Sequence, residues 1–143
     1  MMHPIIKKYI EYNNFGRHLG LQFNIVEPGV VQHYLTITKE HLATPQAAHG
    51  GLVSAMMDAV LGVAALSMVC GDNKIVSTVE FKLNYLNPAL LGDELSGESF
   101  IEQKGNRIIV VSGAIKATNR DVIISKGIGT FNAYPASKVG LMV

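Results

Sequence analysis

At 143 residues the chain is about the length of one ordinary domain, sufficient for a continuous core. Hydrophobic residues make up 48% and charged residues 16%, and a net charge of +1 excludes a general electrostatic attraction for nucleic acid or an anionic membrane. The single cysteine, Cys70, excludes an intrachain disulfide and a cysteine-based zinc cluster.

The first fifteen residues are polar and mixed in charge and lack the apolar stretch of a secretory signal, so a cytoplasmic location is expected. From Pro4 to about Arg17, Ile5, Ile6, Tyr9 and Ile10 recur at helical spacing and predict a short amphipathic helix. After Gly20, Leu21, Phe23 and Ile25 alternate, Pro28-Gly29 turns the chain, and Val31, His33, Leu35 and Ile37 alternate again, which predicts a hairpin. Thr44-Pro45-Gln46 breaks the pattern ahead of HGGLVSAMMDAVLGVAALSMVC, running from His49 to Cys70. Leu52 to Val69 is apolar enough and long enough to cross a bilayer. Asp58 inside it, the lack of strongly charged flanks and the strands that follow argue instead for a soluble core helix wrapped by a sheet.

Val79, Phe81, Leu83 and Tyr85 alternate with Thr78, Glu80, Lys82 and Asn84 in a strand that ends at Asn87-Pro88. Leu95–Gln103, Arg107–Ala117 and Val122–Phe131 follow as strands joined by turns at Lys104-Gly105-Asn106 and Asn119-Arg120-Asp121. The tail beyond Tyr134 is expected to fray. The expectation is a single α+β domain over 1–143: a helix at about 4–17, a core at about 20–132 in which an antiparallel curved sheet wraps one long central helix, and a short tail.

Asp58 is the unusual residue, because an isolated ionised carboxylate on a buried helix costs several kcal/mol unless it is partnered or solvated. Two readings stand beside each other: a hydrogen bond to a neighbouring strand or a wet subunit interface, or a nucleophile or general base in a cleft. At the start of the helix, Gly50 and Gly51 leave N–H groups uncovered where the helix dipole favours a partly negative oxygen, as in an oxyanion site. The other reading is that the glycines allow close packing. Eight residues separate Gly50 from Asp58, about 12 Å along an ideal helix, too far for one carbonyl group to meet both. Two copies with antiparallel helices would bring the start of one helix toward the middle of the other and form two equivalent composite sites. Cys70 ends the apolar helix with no histidine near it in sequence and reads as a small packed hydrophobe rather than a nucleophile. His3, His18, His33 and His41 lack metal-binding spacing, so no metal is expected.

The run HGGLVSAMMDAVLG, the strand STVEFKLNYLNPALLGDEL and the later GNRIIVVSGAI and SKGIGTF resemble the hotdog-fold thioesterase superfamily, most closely its PaaI-like acyl-CoA thioesterase branch, over Gly20 to Phe131. The resemblance implies that Asp58 attacks the thioester carbonyl or activates the water that does, and that the Gly50 N–H polarises the carbonyl oxygen across a dimer interface. It implies a hydroxyl at Thr78 near the acid, where a strand threonine facing solvent is the alternative, and a supporting or helix-capping role for His49. Gly51, Gln46, Asn84 and Arg107 are the substrate-binding candidates. Lys82, Lys104, Arg107, Arg120 and Lys126 are candidates for the coenzyme A phosphates. Ala55, Met56, Met57 and Val60 are candidates for an acyl tunnel. The branch commonly has an asparagine six residues before the histidine, where this sequence has Ala43. No cofactor is expected beyond the coenzyme A carried by the substrate, and the expected assembly is a homodimer or homotetramer, with no nucleic-acid or membrane partner. Two other functions fit less of the pattern. A hotdog dehydratase or hydratase would carry a His-Phe-Pro-Gly run or an Asp-and-His loop, which is missing, and a module that binds acyl-CoA without cleaving it is favoured by Ala43.

Overall fold

The computed structural model describes residues 1–141. Two short helices, α1 (Pro4–Tyr12) and α2 (Asn14–Leu19), precede β1 (Gln22–Glu27) and β2 (Val30–Thr36). The long helix α3 (Gly50–Val69) follows, then β3 (Lys74–Tyr85), β4 (Glu94–Lys104), β5 (Ile108–Ala117) and β6 (Val122–Pro135). The strands form one antiparallel six-stranded sheet in the order β1-β2-β4-β5-β6-β3, so β1 and β3 are its edges.

The inward residues of the sheet close on α3, whose Val53, Met56, Met57, Val60, Leu61 and Val63 are buried with Leu35, Ile109, Val111, Ile115 and Phe131. Burying each large side chain of this set contributes about 2 kcal/mol. The helix that passes a length and composition test for a membrane span is therefore the covered core of the fold. Glycines on the inner strands set how closely the sheet approaches. A Cβ on Gly97 would lie 2.4 Å from Val60 Cγ2, and one on Gly113 would meet the Glu98 carbonyl oxygen at 2.9 Å and Leu61 Cδ2 at 3.0 Å. This is the antiparallel curved sheet around one central helix, the α+β hotdog arrangement, that the pattern and the resemblance predict.

Three local expectations need correction. The predicted helix over 4–17 is two helices: Asn13 leaves helical geometry, with φ −78° and ψ 66°, and its side-chain oxygen accepts from the Gly16 N–H to start α2. β3 does not alternate continuously, because its pairing with β6 slips by one residue between Thr78 and Glu80 and leaves Val79 as the extra, exposed residue of a bulge. The chain beyond Tyr134 is ordered as far as Leu141. β6 runs to Pro135, a 3-10 turn spans Ala136–Val139, and the buried Ala136 donates its N–H to Asn73 O. Fraying of positions 142 and 143 lies outside the described residues.

Candidate active site

Six residues of α3, namely Ala55, Asp58, Ala59, Gly62, Val63 and Leu66, recur at three- and four-residue steps and therefore share one stripe of the helix. Four of them are small or short, and opposite them a cavity of about 270 Å³ opens. Its other walls come from α1 and α2 (Tyr9, Asn13, Phe15, Gly16, Leu19), from Leu21, from Ile75, Val76 and Thr78 of β3, and from Phe131 of β6 and Leu141. The cavity is mainly apolar, with a carboxylate on its wall.

Thr78 Oγ1 donates to Asp58 Oδ1 at 2.7 Å, and the Asp58 carboxylate accepts no other hydrogen bond among the described residues. The bulge at Val79 makes this contact possible. With unbroken alternation Thr78 would face away from Phe81 and Leu83, but the extra residue resets the phase so that all three sit on the helix side. Tyr9 faces Asp58 across the cavity. Burial, and secondarily the negative charge of Asp58, push the pKa of its phenol above the usual tyrosine value, so Tyr9 stays protonated at neutral pH.

At the start of α3, His49 is the N-cap: its Nδ1 accepts from the Gly51 N–H at 2.7 Å. The Gly51 donor is thereby used by the helix itself, which leaves it unavailable to a substrate. The Gly50 N–H makes no hydrogen bond among the described residues, as expected of a first-turn donor without an intrahelical partner. Tyr85 Oη donates to Gly50 O at 3.0 Å and ties the helix start to the end of β3. Gly50 lines a separate groove of about 210 Å³ with Ala48, Val53, Tyr85, Asn87 and Pro88. Within one subunit the structure joins Asp58 to Thr78 and leaves Gly50 in another depression.

The remaining candidates scatter. Gln46 and Asn84 are exposed and line neither depression, and the Asn84 side chain accepts from Lys82 Nζ at 3.2 Å. Arg107 is exposed in the β4–β5 turn, where its carbonyl accepts from the Ala133 N–H. That turn lies at the end of the sheet where Ile108 pairs with Asn132, beside the Phe131–Thr78 pair. Arg120 is not available for a phosphate: it holds the buried Asp93 carboxylate through Nη2 at 2.6 Å and Nε at 2.9 Å, and donates to Pro88 O. That contact holds the Asp93 carboxyl at about 2, below the usual range. Of the four tunnel candidates only Ala55 lines the cavity. Met56, Met57 and Val60 point to other sides of α3 and are fully buried in the sheet-facing core. The contribution of α1 and α2 to the cavity was not legible from Pro4–Leu19, whose amphipathic spacing says that one face is covered without saying by what.

Residues 46–124, more than half of the chain, match the thioesterase superfamily. Human acyl-coenzyme A thioesterase 13 is 25% identical over 121 residues, 83% of this chain and 83% of that protein. Among solved structures, the Escherichia coli PaaI protein from the phenylacetic acid degradation operon superposes with a TM-score of 0.82 at 18% identity, covering 92% of this chain and 94% of that one. A Streptococcus pneumoniae thioesterase protein solved with coenzyme A superposes at 0.72 with 19% identity, covering 80% of this chain and 86% of that one. These structural likenesses establish the hotdog fold, and the match over the helix, β3, β4 and β5 establishes the family: the chain belongs to the thioesterase superfamily and is a thioester hydrolase.

Proposed function

We propose that the protein hydrolyses acyl-CoA thioesters at a site completed by two copies of the chain, with Asp58 as nucleophile or general base and the Gly50 N–H of the other copy as oxyanion donor. The observation that carries this reading is the carboxylate of Asp58, held by Thr78 at 2.7 Å on the wall of an otherwise apolar cavity. The cavity suits an acyl group, and the coenzyme A solved with the Streptococcus pneumoniae protein and the likeness to human acyl-coenzyme A thioesterase 13 support the leaving group.

The edge strand β3 supplies a surface for pairing. It is twelve residues long, its outer side is unpaired within the subunit, and Val79 and Tyr85 are exposed along it. Edge-to-edge pairing about a twofold axis would set the two α3 helices antiparallel and carry the unpaired Gly50 N–H toward the Asp58 of the other copy. Phe100 and Ile128, exposed in one cross-strand row on the outer face of the sheet, offer a second apolar surface for a dimer of dimers.

In the nucleophilic form a carboxylate oxygen of Asp58 bonds to the thioester carbon, the carbon–sulfur bond breaks, and coenzyme A leaves as a thiolate that takes a proton from solvent. Water then splits the mixed anhydride and restores the carboxylate. In the general-base form Asp58 takes a proton from water as its oxygen attacks the same carbon, and the proton passes to the leaving sulfur. In both, the Gly50 N–H stabilises the oxyanion, and Thr78 fixes one carboxylate oxygen so that the other faces the cavity.

Thiol release from short, medium, long and aryl acyl-CoA thioesters tests the activity, and Asp58→Asn should lower it by roughly a hundredfold or more with assembly intact. Shared sites are tested by complementation with Gly50→Pro. Proline is tolerated at the first helical position, His49 before it already has the extended φ −60° and ψ 137° that proline requires, and the substitution deletes the N–H. Each variant alone should be inactive, whereas the purified Asp58→Asn/Gly50→Pro heterodimer retains one intact site and about half of wild-type activity. An inactive heterodimer refutes the shared site, and full turnover in Asp58→Asn removes Asp58 from the mechanism. Tight acyl-CoA binding with no release from wild type would make the protein a binding module.

A further inference from the structure

Beside the acyl cavity lies a second, smaller one of about 50 Å³, and the two share Tyr9, Asn13, Leu21, Ala59 and Val63 as walls. His33 of β2 is one of its walls. The imidazole is completely buried, packs on Phe23 with ring centroids 5.4 Å apart, and has no hydrogen-bond partner at either nitrogen among the described residues. A buried polar group without a partner is costly and seldom kept without a use. The Tyr9 oxygen on the same cavity accepts from Asn13 Nδ2 at 3.2 Å, so its own proton remains free to be donated.

We propose that Tyr9 and His33 form a polar end to the acyl pocket that receives a hydroxyl group at the far end of the acyl chain, a reading that rests on the acyl-CoA function proposed above. The match is one of donor to acceptor. The Tyr9 O–H donates to the hydroxyl oxygen, and the hydroxyl donates to an unprotonated nitrogen of His33, which burial keeps neutral at ordinary pH. The volume exceeds what one water molecule needs, so the end of a chain carrying one oxygen fits. A terminal carboxylate does not suit the site. Arg17, a cation on this cavity, has its guanidinium engaged by the carbonyls of Ile10 and Glu11 and by Asn14, and among the described residues no other cationic side chain lines it. The tyrosine lies on α1 and the histidine on β2, so the hydroxyl would also bridge the N-terminal helix to the sheet.

The test uses coenzyme A thioethers, which bind without being cleaved, in pairs of S-alkyl and S-(ω-hydroxyalkyl) chains of about four to twelve carbons, with calorimetric affinities for wild type, His33→Leu and Tyr9→Phe. Wild type should prefer the hydroxylated member about tenfold at one chain length. Both variants should lose that preference and still bind the plain alkyl member. Leucine replaces an unpartnered imidazole with an apolar side chain, and Tyr9→Phe removes a single oxygen, so the two substitutions report independently should one disturb folding. Equal affinity for both members at every length in wild type, or a preference that survives in both variants, overturns this inference alone. Failure of every thioether to bind defeats the acyl-CoA reading and this one with it.

Discussion

Acidification from about pH 7 to about pH 4.5 should cost the folded protein about 2 to 3 kcal/mol through His33 alone. Burial pushes the His33 imidazole down from the usual histidine value of 6.5 to about 4, because the charged ring has neither solvent nor a hydrogen-bond partner. Among the described residues its cavity offers no compensating anion: Tyr9 from α1 is protonated, Arg17 is a cation already engaged, and the Phe23 ring from β1 is apolar. A histidine whose folded value lies below its unfolded one binds fewer protons when folded. Its neutral burial is therefore fully tolerated above about pH 6.5, and stability is lost progressively as pH falls toward 4, at about 1.4 kcal/mol per pH unit. Urea unfolding of wild type and His33→Leu at both pH values isolates this contribution, since carboxylates and net charge change alike in the two proteins. The wild type should lose about 2 to 3 kcal/mol more than the variant on acidification, and the variant should match or exceed it at neutral pH. Parallel losses would refute the buried, neutral imidazole.

Two further expectations concern the scaffold. Arg120→Ala should lower the melting temperature by several degrees, since among the described residues it leaves the buried Asp93 carboxylate with the Leu90 N–H and Asn119 alone for support. Because Asp93 titrates at about 2 in the folded protein, its contribution is complete above about pH 4 and is lost as pH falls through 2. Acid unfolding of the variant monitored by circular dichroism should therefore begin at higher pH than in wild type, and coincident curves would deny Arg120 this role. Gly113→Ala should destabilise by about 2 kcal/mol in urea, because the new methyl group meets a carbonyl oxygen at 2.9 Å and two α3 side chains at 3.0 and 3.1 Å; an unchanged midpoint would show that the sheet can back away from the helix.

The central helix and the strands after it were readable because their signals are long and periodic: a long, largely apolar run in α3, alternation in β4, β5 and β6. What escaped reading depends on single residues whose effect is set by a distant partner. Asn13 ends one helix by capping the next, and Val79 shifts the phase of β3 so that Thr78 reaches Asp58. Arg120 looked like a free turn cation, yet the Gly-Asp sequence after β3 carries its partner, a carboxylate 27 positions earlier in the chain. The site shows the same division. Asp58 was conspicuous because a charge interrupts an apolar helix, and Gly50 because two glycines open it. The cavity walls from α1 and α2, and the imidazole behind them, belong to a face whose covering no spacing rule specifies.

The placement of Asp58 follows from the way α3 meets two different neighbours. Most of its circumference is filled to contact by the sheet, where large side chains such as Met56, Met57 and Leu61 have no exposed surface and glycines on the strands admit them. A carboxylate on that side would have no solvent and no room. The remaining stripe faces α1, α2 and the start of β3, and there Ala55, Ala59 and Gly62 withhold the volume that would close the core. The absent side chains create the cavity, and the cavity makes an ionisable residue tolerable at position 58. Stability and function consequently divide around one helix by angle: filling the small-residue stripe should gain packing at the expense of the acyl group, while trimming the opposite stripe would cost folding energy and leave the chemistry of Asp58 and Thr78 in place.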